Sequence, residues 1–155
     1  MTPHDFYQQA KECRNRFKQV WETVVKDLKV FEQKTIRPYQ CDCARTSIQV
    51  LRDPIHELHL LLENIYILPL SVIPFRYDLL MALHSIKDIV DELSLLLIFF
   101  RRTCSSSSRD AMLYQQEIQR KLVELEHSND TVQQSIDRML LQTGSHKKTI
   151  QTIAR

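Results

Sequence analysis

Glycine occurs once in this 155-residue chain, at Gly144. Backbones use glycine for left-handed turns, bulges and close approach to phosphates, so its scarcity removes whole classes of site. A dinucleotide-binding G-x-G-x-x-G, a phosphate-cradling G-x-x-x-x-G-K-[ST] loop and a G-x-S-x-G nucleophile elbow each need several glycines at fixed spacing. None can be written here. Tight backbone oxyanion holes become equally hard to build, and no nucleophile, base and oxyanion set can be assembled from the residues present. The chain is therefore expected to work by binding and not as an enzyme, with no resident cofactor.

Long apolar runs are also missing. The longest, Leu95 to Phe100, is far short of the ~20 residues that cross a bilayer, and Asp91, Glu92, Arg101 and Arg102 flank it. The opening residues MTPHDFYQQAKEC show no basic segment followed by an apolar one, so a secretory leader is not expected. Neither sign of charge dominates: 21 Lys and Arg against 19 Asp and Glu leave a net +2. Basic residues cluster near the start (Lys11, Arg14, Arg16, Lys18, Lys26, Lys29, Lys34), yet Glu12, Glu22, Asp27 and Glu32 lie among them. With no aromatic residues interleaved as a stripe, this reads as a solvated face and not as a nucleic-acid surface. Four cysteines (Cys13, Cys41, Cys43, Cys104) are too few for a disulfide scaffold, so reduced thiols and a cytoplasmic setting are expected.

What the chain does have is heptad rhythm. Apolar residues fall at 6, 10, 13, 17, 20, 24, 28 and 31, after a Thr2-Pro3 start, and this stripe predicts a first helix ending near Thr35. Pro38 and the turn RPYQCDC lead to a second helix with Ala44, Ile48, Leu51, Ile55, Leu58, Leu62 and Ile65 on its seam. Pro54 lies inside that stripe without changing its phase, which predicts a kinked helix or one restarted with Asp53 as N-cap. After the apolar loop LPLSVIP, bracketed by Pro69 and Pro74, a third helix carries Phe75, Leu79, Leu83, Ile86, Val90, Leu93, Leu97 and Phe100. Ser105 to Ser108 form the next break, and a fourth helix has Ala111, Ile118, Leu122, Leu125, Val132, Ile136 and Met139. Asn129 occupies a seam position of that helix, where it either breaks the helix within Ser128-Asn129-Asp130 or fixes register in a packed bundle. Gly144 falls where a left-handed C-cap is expected, leaving residues 144–155 as a basic tail. The expected architecture is an all-α, up-and-down bundle of four helices, or five if the last one breaks, forming one domain over residues 1–143.

Four features of the sequence could carry chemistry or contacts. Cys41-x-Cys43 and His56-x-x-His59 supply four zinc-competent ligands, with turn cysteines and surface histidines as the alternative. The i, i+4 carboxylate pairs Asp53/Glu57 and Asp88/Glu92 are candidate metal ligands, but seam arithmetic turns Asp88 and Glu92 outward, away from any internal di-metal site of the kind built on Glu-x-x-His. His84-Ser-Ile-Lys87 on a bundle resembles the A-H-x-L-K-G signature of histidine phosphotransfer domains. That resemblance would make His84 the phosphorylated nucleophile and Lys87 the stabiliser of its charge, while Asp88 stands where the family has glycine. Leu95, Leu96, Ile98 and Phe99 surround the seam at the end of helix three and are the candidate face for a protein partner or a second copy, with a dimer expected.

The middle of the chain, residues 62–102, resembles PhoU-like proteins, helical regulators associated with phosphate transport. The matching residues are Leu68-Pro69, Pro74-Phe75, Arg76, Asp78-Leu79-Leu80 and Asp88-Ile89-x-Asp91. The resemblance implies a regulatory bundle and surface metal clusters held by E/D-x-x-x-D pairs. Lys87 occupies the first carboxylate position of the pair that would end at Asp91, leaving Asp88/Glu92 and Asp53/Glu57 as the pairs able to substitute. The leading expectation is a non-enzymatic regulatory or adaptor bundle acting through protein contacts, with phosphotransfer and surface metal binding as alternatives.

Overall fold

A computed structural model describes residues 2–104 and 108–154, with residues 142–154 described as backbone. Four α-helices account for most of them: α1 (Pro3–Leu28), α2 (Pro38–Glu63), α3 (Ile73–Thr103) and α4 (Ser108–Ala154). Two short 3-10 turns follow α1 and α2, at Lys29–Glu32 and Ile65–Ile67, and no strand occurs among the described residues.

The start of α1 is written in its first residues. The Thr2 hydroxyl accepts a hydrogen bond from the Asp5 backbone N–H at 3.2 Å, and the Asp5 carboxylate accepts one from the Thr2 N–H at 3.1 Å. This reciprocal cap satisfies two orphan donors while Pro3 needs none. The Thr2 backbone N–H, and then its hydroxyl, hold the Asp5 carboxyl below its ordinary value. A depressed acid of this kind supports the fold above the unfolded carboxylate range, and that support fades as pH falls through the native value.

Two local expectations change, and of the two alternatives at Pro54 the single helix holds. The α-helical part of α1 stops at Leu28, short of Thr35, because the 3-10 turn buries Phe31 and the Phe31 carbonyl is taken by side chains of α4. Gln115 Nε2 donates to it at 2.7 Å and also to the Gln33 carbonyl at 2.8 Å, so further helical bonds are not needed there. RPYQCDC is not a turn: Pro38 opens α2, and the Gln40 side chain accepts from the Arg37 N–H at 2.8 Å. Pro54 lies within one continuous α2, its ring buried in the core, so Asp53 is not an N-cap. Burial of the ring on an unbroken seam compensates for the missing backbone donor.

The helices form a ring in which each packs on its chain neighbours and α4 closes onto α1. Side-chain contacts show that every neighbouring pair is antiparallel, with Phe99 against Tyr114 and Gln115 donating to the Phe31 carbonyl giving the second contact for α3–α4 and for α4 against the end of α1. Between α1 and α2, Arg16 pairs with Glu57 and Asp27 accepts from Ser47. Between α2 and α3, Arg52 meets Asp91 at 2.8 Å and Arg101 meets Asp42 at 3.6 Å. Lys121 of α4 reaches Glu92 of α3, and Arg14 of α1 reaches Asp137 of α4 at 3.1 Å. The up-and-down bundle follows.

Almost every predicted seam residue lies in the core; Val20 and Phe75 are half-buried against it, and Ile65 is exposed. Phe31 and Phe100 close the end of the core that holds the C-termini of α1 and α3, meeting edge-to-face with ring centroids 5.4 Å apart. Helix α4 does not break at Ser128-Asn129-Asp130. Asn129 is 4% exposed inside a continuous helix, and its Oδ1 finds no hydrogen-bond partner among the described residues. Gly144 is likewise helical, and α4 runs past it to Ala154. Nothing in a helix interior forbids glycine; it costs only about 1 kcal/mol relative to alanine.

An unpaired buried amide is expensive, about 1–3 kcal/mol. Asn129→Leu should therefore raise the thermal midpoint by several degrees, equivalent to roughly 1–2 kcal/mol, whereas Asn129→Asp should lower it. Thermal melts followed by far-UV circular dichroism measure both.

Candidate functional site

The α2–α3 face carries the most chemically concentrated surface. Between the two helices lies a groove of about 330 Å³ lined by Arg52, Asp53, His56 and His59 of α2 and by His84 and Lys87 of α3, with Ile55 and Leu83 at its floor. One-turn spacing puts His56 beside His59 and His84 beside Lys87. The Arg52–Asp91 and Arg101–Asp42 bridges set the antiparallel register, which brings His59 level with His84 and His56 level with Lys87. Arg52 is anchored at the rim, bridging to Asp91 and donating to the Ser94 hydroxyl at 3.3 Å. Among the described residues, His56, His59 and Lys87 have no ion-pair or hydrogen-bond partner, and His84 Nε2 stands 3.7 Å from Asp88.

The sequence singled out His84 and Lys87 as one unit and His56 and His59 as another. It did not join them, because only the α2–α3 packing does. His84 is exposed, as a phosphoryl acceptor requires, but Asp88 holds the place of the signature's glycine and sits against the imidazole.

The proposed metal ligands are not brought together. Glu57 is held by Arg16, Asp91 by Arg52, Glu92 by Lys121 and Asp88 lies beside His84, so each of these carboxylates faces a different cation. Asp53 lines the groove without them. Among the described residues, no group of three or more His, Cys, Asp or Glu side chains is arranged to hold a metal ion. Lys121 is the most sequestered of these cations, its side chain 13% exposed between Glu92 and Glu124. Hydrogen bonds to those two carboxylates raise its pKa, so its contribution is present below the ordinary lysine value and is lost as pH rises beyond it.

The Cys-x-Cys pair also separates from the histidines. Cys41 is fully buried in the first turns of α2, Cys43 is exposed, and His56 and His59 lie several turns further along the same helix. Burial, reinforced by nearby Cys104, pushes the Cys41 thiol up to about 11. Cys13 is raised as well, chiefly by burial, with Glu57 opposing the pull of Arg16. These are packing thiols and neither is poised as a thiolate.

The expected partner face on α3 is split by the packing. Leu95 and Phe99 point outward, one turn apart, while Leu96 and Ile98 are half-buried. Phe99 also leans on Tyr114 of α4, with ring centroids 5.6 Å apart. A more prominent apolar surface lies at the other end of the bundle, in the α2–α3 connection. Tyr66 is 95% exposed and Leu70 84%, with Ile65 beside them, while Leu68 and Val72 are buried as anchors. Arg76 fixes this connection by donating to the Leu62 carbonyl at 2.7 Å and the Glu63 carbonyl at 3.1 Å, and Asn64 accepts from the Tyr66 N–H at 3.1 Å. LPLSVIP was legible as an apolar loop, but which of its residues turn outward was not. None of the described helices is long and apolar enough to cross a membrane. No protein-family model, curated protein or solved structure matches the chain.

Thiol chemistry checks the cysteine placement. Titration of the native protein with an aromatic disulfide near neutral pH should modify Cys43 first, Cys104 more slowly, and Cys13 and Cys41 only on unfolding. Because the native Cys41 thiol stays protonated where an unfolded one ionises, stability should decline as pH rises from about 9 toward about 11. Fast labelling of Cys41 in the folded state would contradict this placement.

Proposed function

We propose that this chain is a non-enzymatic regulatory or adaptor bundle that acts through protein–protein contacts, and that the apolar tip of the α2–α3 connection is its docking surface. The observation that carries this reading is the exposure of Tyr66 and Leu70 on a connection whose backbone is tied down by Arg76 and Asn64. An exposed apolar side chain on a mobile loop could fold inward. Here the buried anchors Leu68 and Val72 take the interior positions, leaving Tyr66 and Leu70 outside. A fixed tip of this kind loses little conformational entropy on docking. Fully burying a leucine contributes about 1.5–3 kcal/mol, and an aromatic residue with a polar end suits an interface centre.

The partner that the chain itself supplies is a second copy. An exposed apolar patch can meet the same patch of a second copy across a two-fold axis, the commonest symmetry of soluble oligomers. The Leu95–Phe99 strip is the weaker candidate, because Phe99 already shares its face with Tyr114. The regulatory assignment rests on the PhoU-like pattern of the same region, in which Arg76 is one of the matching residues.

Multi-angle light scattering over a wide concentration range should find a dimer that dissociates in Tyr66→Ser/Leu70→Ser, with the helical circular dichroism spectrum unchanged. Leu95→Ser should leave the dimer intact. A wild-type chain that stays monomeric at every concentration overturns self-association through the tip. A dimer lost on Leu95→Ser but kept in the tip variant moves the interface to α3.

A further inference from the structure

We infer that the α2–α3 groove is a binding site for the phosphate group of a small organic phosphate monoester. It is separate from the tip and goes beyond the adaptor reading. The case starts from charge. Arg52 and Lys87 are cationic, Asp53 is the one carboxylate in the lining, and three imidazoles complete it. Counted with neutral imidazoles, the lining holds one positive charge in excess.

The second element is unused donor capacity. Most other cations near this face are engaged: Arg52 by Asp91 and Ser94, Arg101 by Asp42 and Lys121 by Glu92 and Glu124. Lys87, His56 and His59, which line the groove, have no such partner among the described residues. Together with His84 they stand on two facing helices, two to a side. Several N–H donors converging from both sides suit a group that presents three acceptor oxygens better than a carboxylate with two. The carboxylates that face this set are Asp53 in the lining, Asp88 beside His84, and Asp91, which is occupied by Arg52.

The third element is size. A volume of about 330 Å³ exceeds what a bare phosphate fills and falls at the lower end of small-molecule sites. Ile55 and Leu83 at the floor offer an apolar contact for a few carbon atoms attached to the phosphate.

Isothermal titration calorimetry with phenyl phosphate, inorganic phosphate and sulfate tests this. Phenyl phosphate should bind more tightly than inorganic phosphate. Lys87→Gln and His59→Gln, both exposed positions, should each weaken it roughly tenfold with the thermal melt unchanged. Sulfate, which presents similar acceptor oxygens but carries no ester carbon, should bind no more tightly than inorganic phosphate. Equal affinity for phenyl phosphate and inorganic phosphate would overturn the ester assignment in favour of the free anion. No binding, or binding that both variants leave intact, means an adventitious ion only and overturns the site. Repeating the titration in Tyr66→Ser/Leu70→Ser keeps failure of the groove distinct from failure of the docking tip.

Discussion

Four apolar seams, one from each helix, meet along the axis of the bundle, and the remaining features of the molecule sit where that burial leaves them. Phe6, Phe17, Leu28, Ile48, Leu58, Leu79, Ile86 and Leu93 are among the largest side chains withdrawn almost completely from water. A fully buried side chain of this kind contributes about 1.5–3 kcal/mol, and a helix of ordinary length is marginal in water without such packing. The seam therefore comes first. It fixes the rotation of each helix about its own axis, and so decides which polar residues meet at the helix boundaries and which stand free.

The polar contacts follow from that rotation. Arg16 with Glu57, Arg52 with Asp91, Lys121 with Glu92 and Arg14 with Asp137 each join neighbouring helices at the edges of the core. Partly exposed pairs of this kind add little stability, commonly 0–1 kcal/mol, but opposite charges in register disfavour slipped arrangements. They also engage three of the carboxylates that looked like metal ligands in the sequence, Glu57, Asp91 and Glu92. What stays unengaged on the α2–α3 face is cationic and imidazole-rich, and at the end of the same two helices the connection turns two apolar side chains outward.

The helices were largely legible because heptad spacing reports burial directly: a residue every three or four positions must face one direction. The Thr2-Pro3 helix start was legible from local sequence, whereas the reciprocal part of Asp5 in the cap emerged only from the structure. Breaks were read less well. RPYQCDC was read as a turn, Gly144 as a C-cap and the triplet Ser128-Asn129-Asp130 as a candidate break, yet Pro38 opens α2 and the other two lie inside α4. Proline is compatible with a first turn, and continuous packing on either side outweighs a local cost of about 1 kcal/mol.

The sequence by itself determined the helical class, the core-facing seams and the absence of glycine-built phosphate loops, because each depends on spacing or composition within one segment. Only the tertiary structure decided that Asn129 is buried within an unbroken helix, that Cys41 belongs to the core, and that His56 and His59 share a groove with His84 and Lys87. Those outcomes depend on which faces of different helices meet. That information lies in the packing of residues far apart in the chain, which no single periodic stripe contains. Gly144 illustrates the division: its scarcity as a residue type excludes chemistry outright, while its position alone does not say where a helix ends.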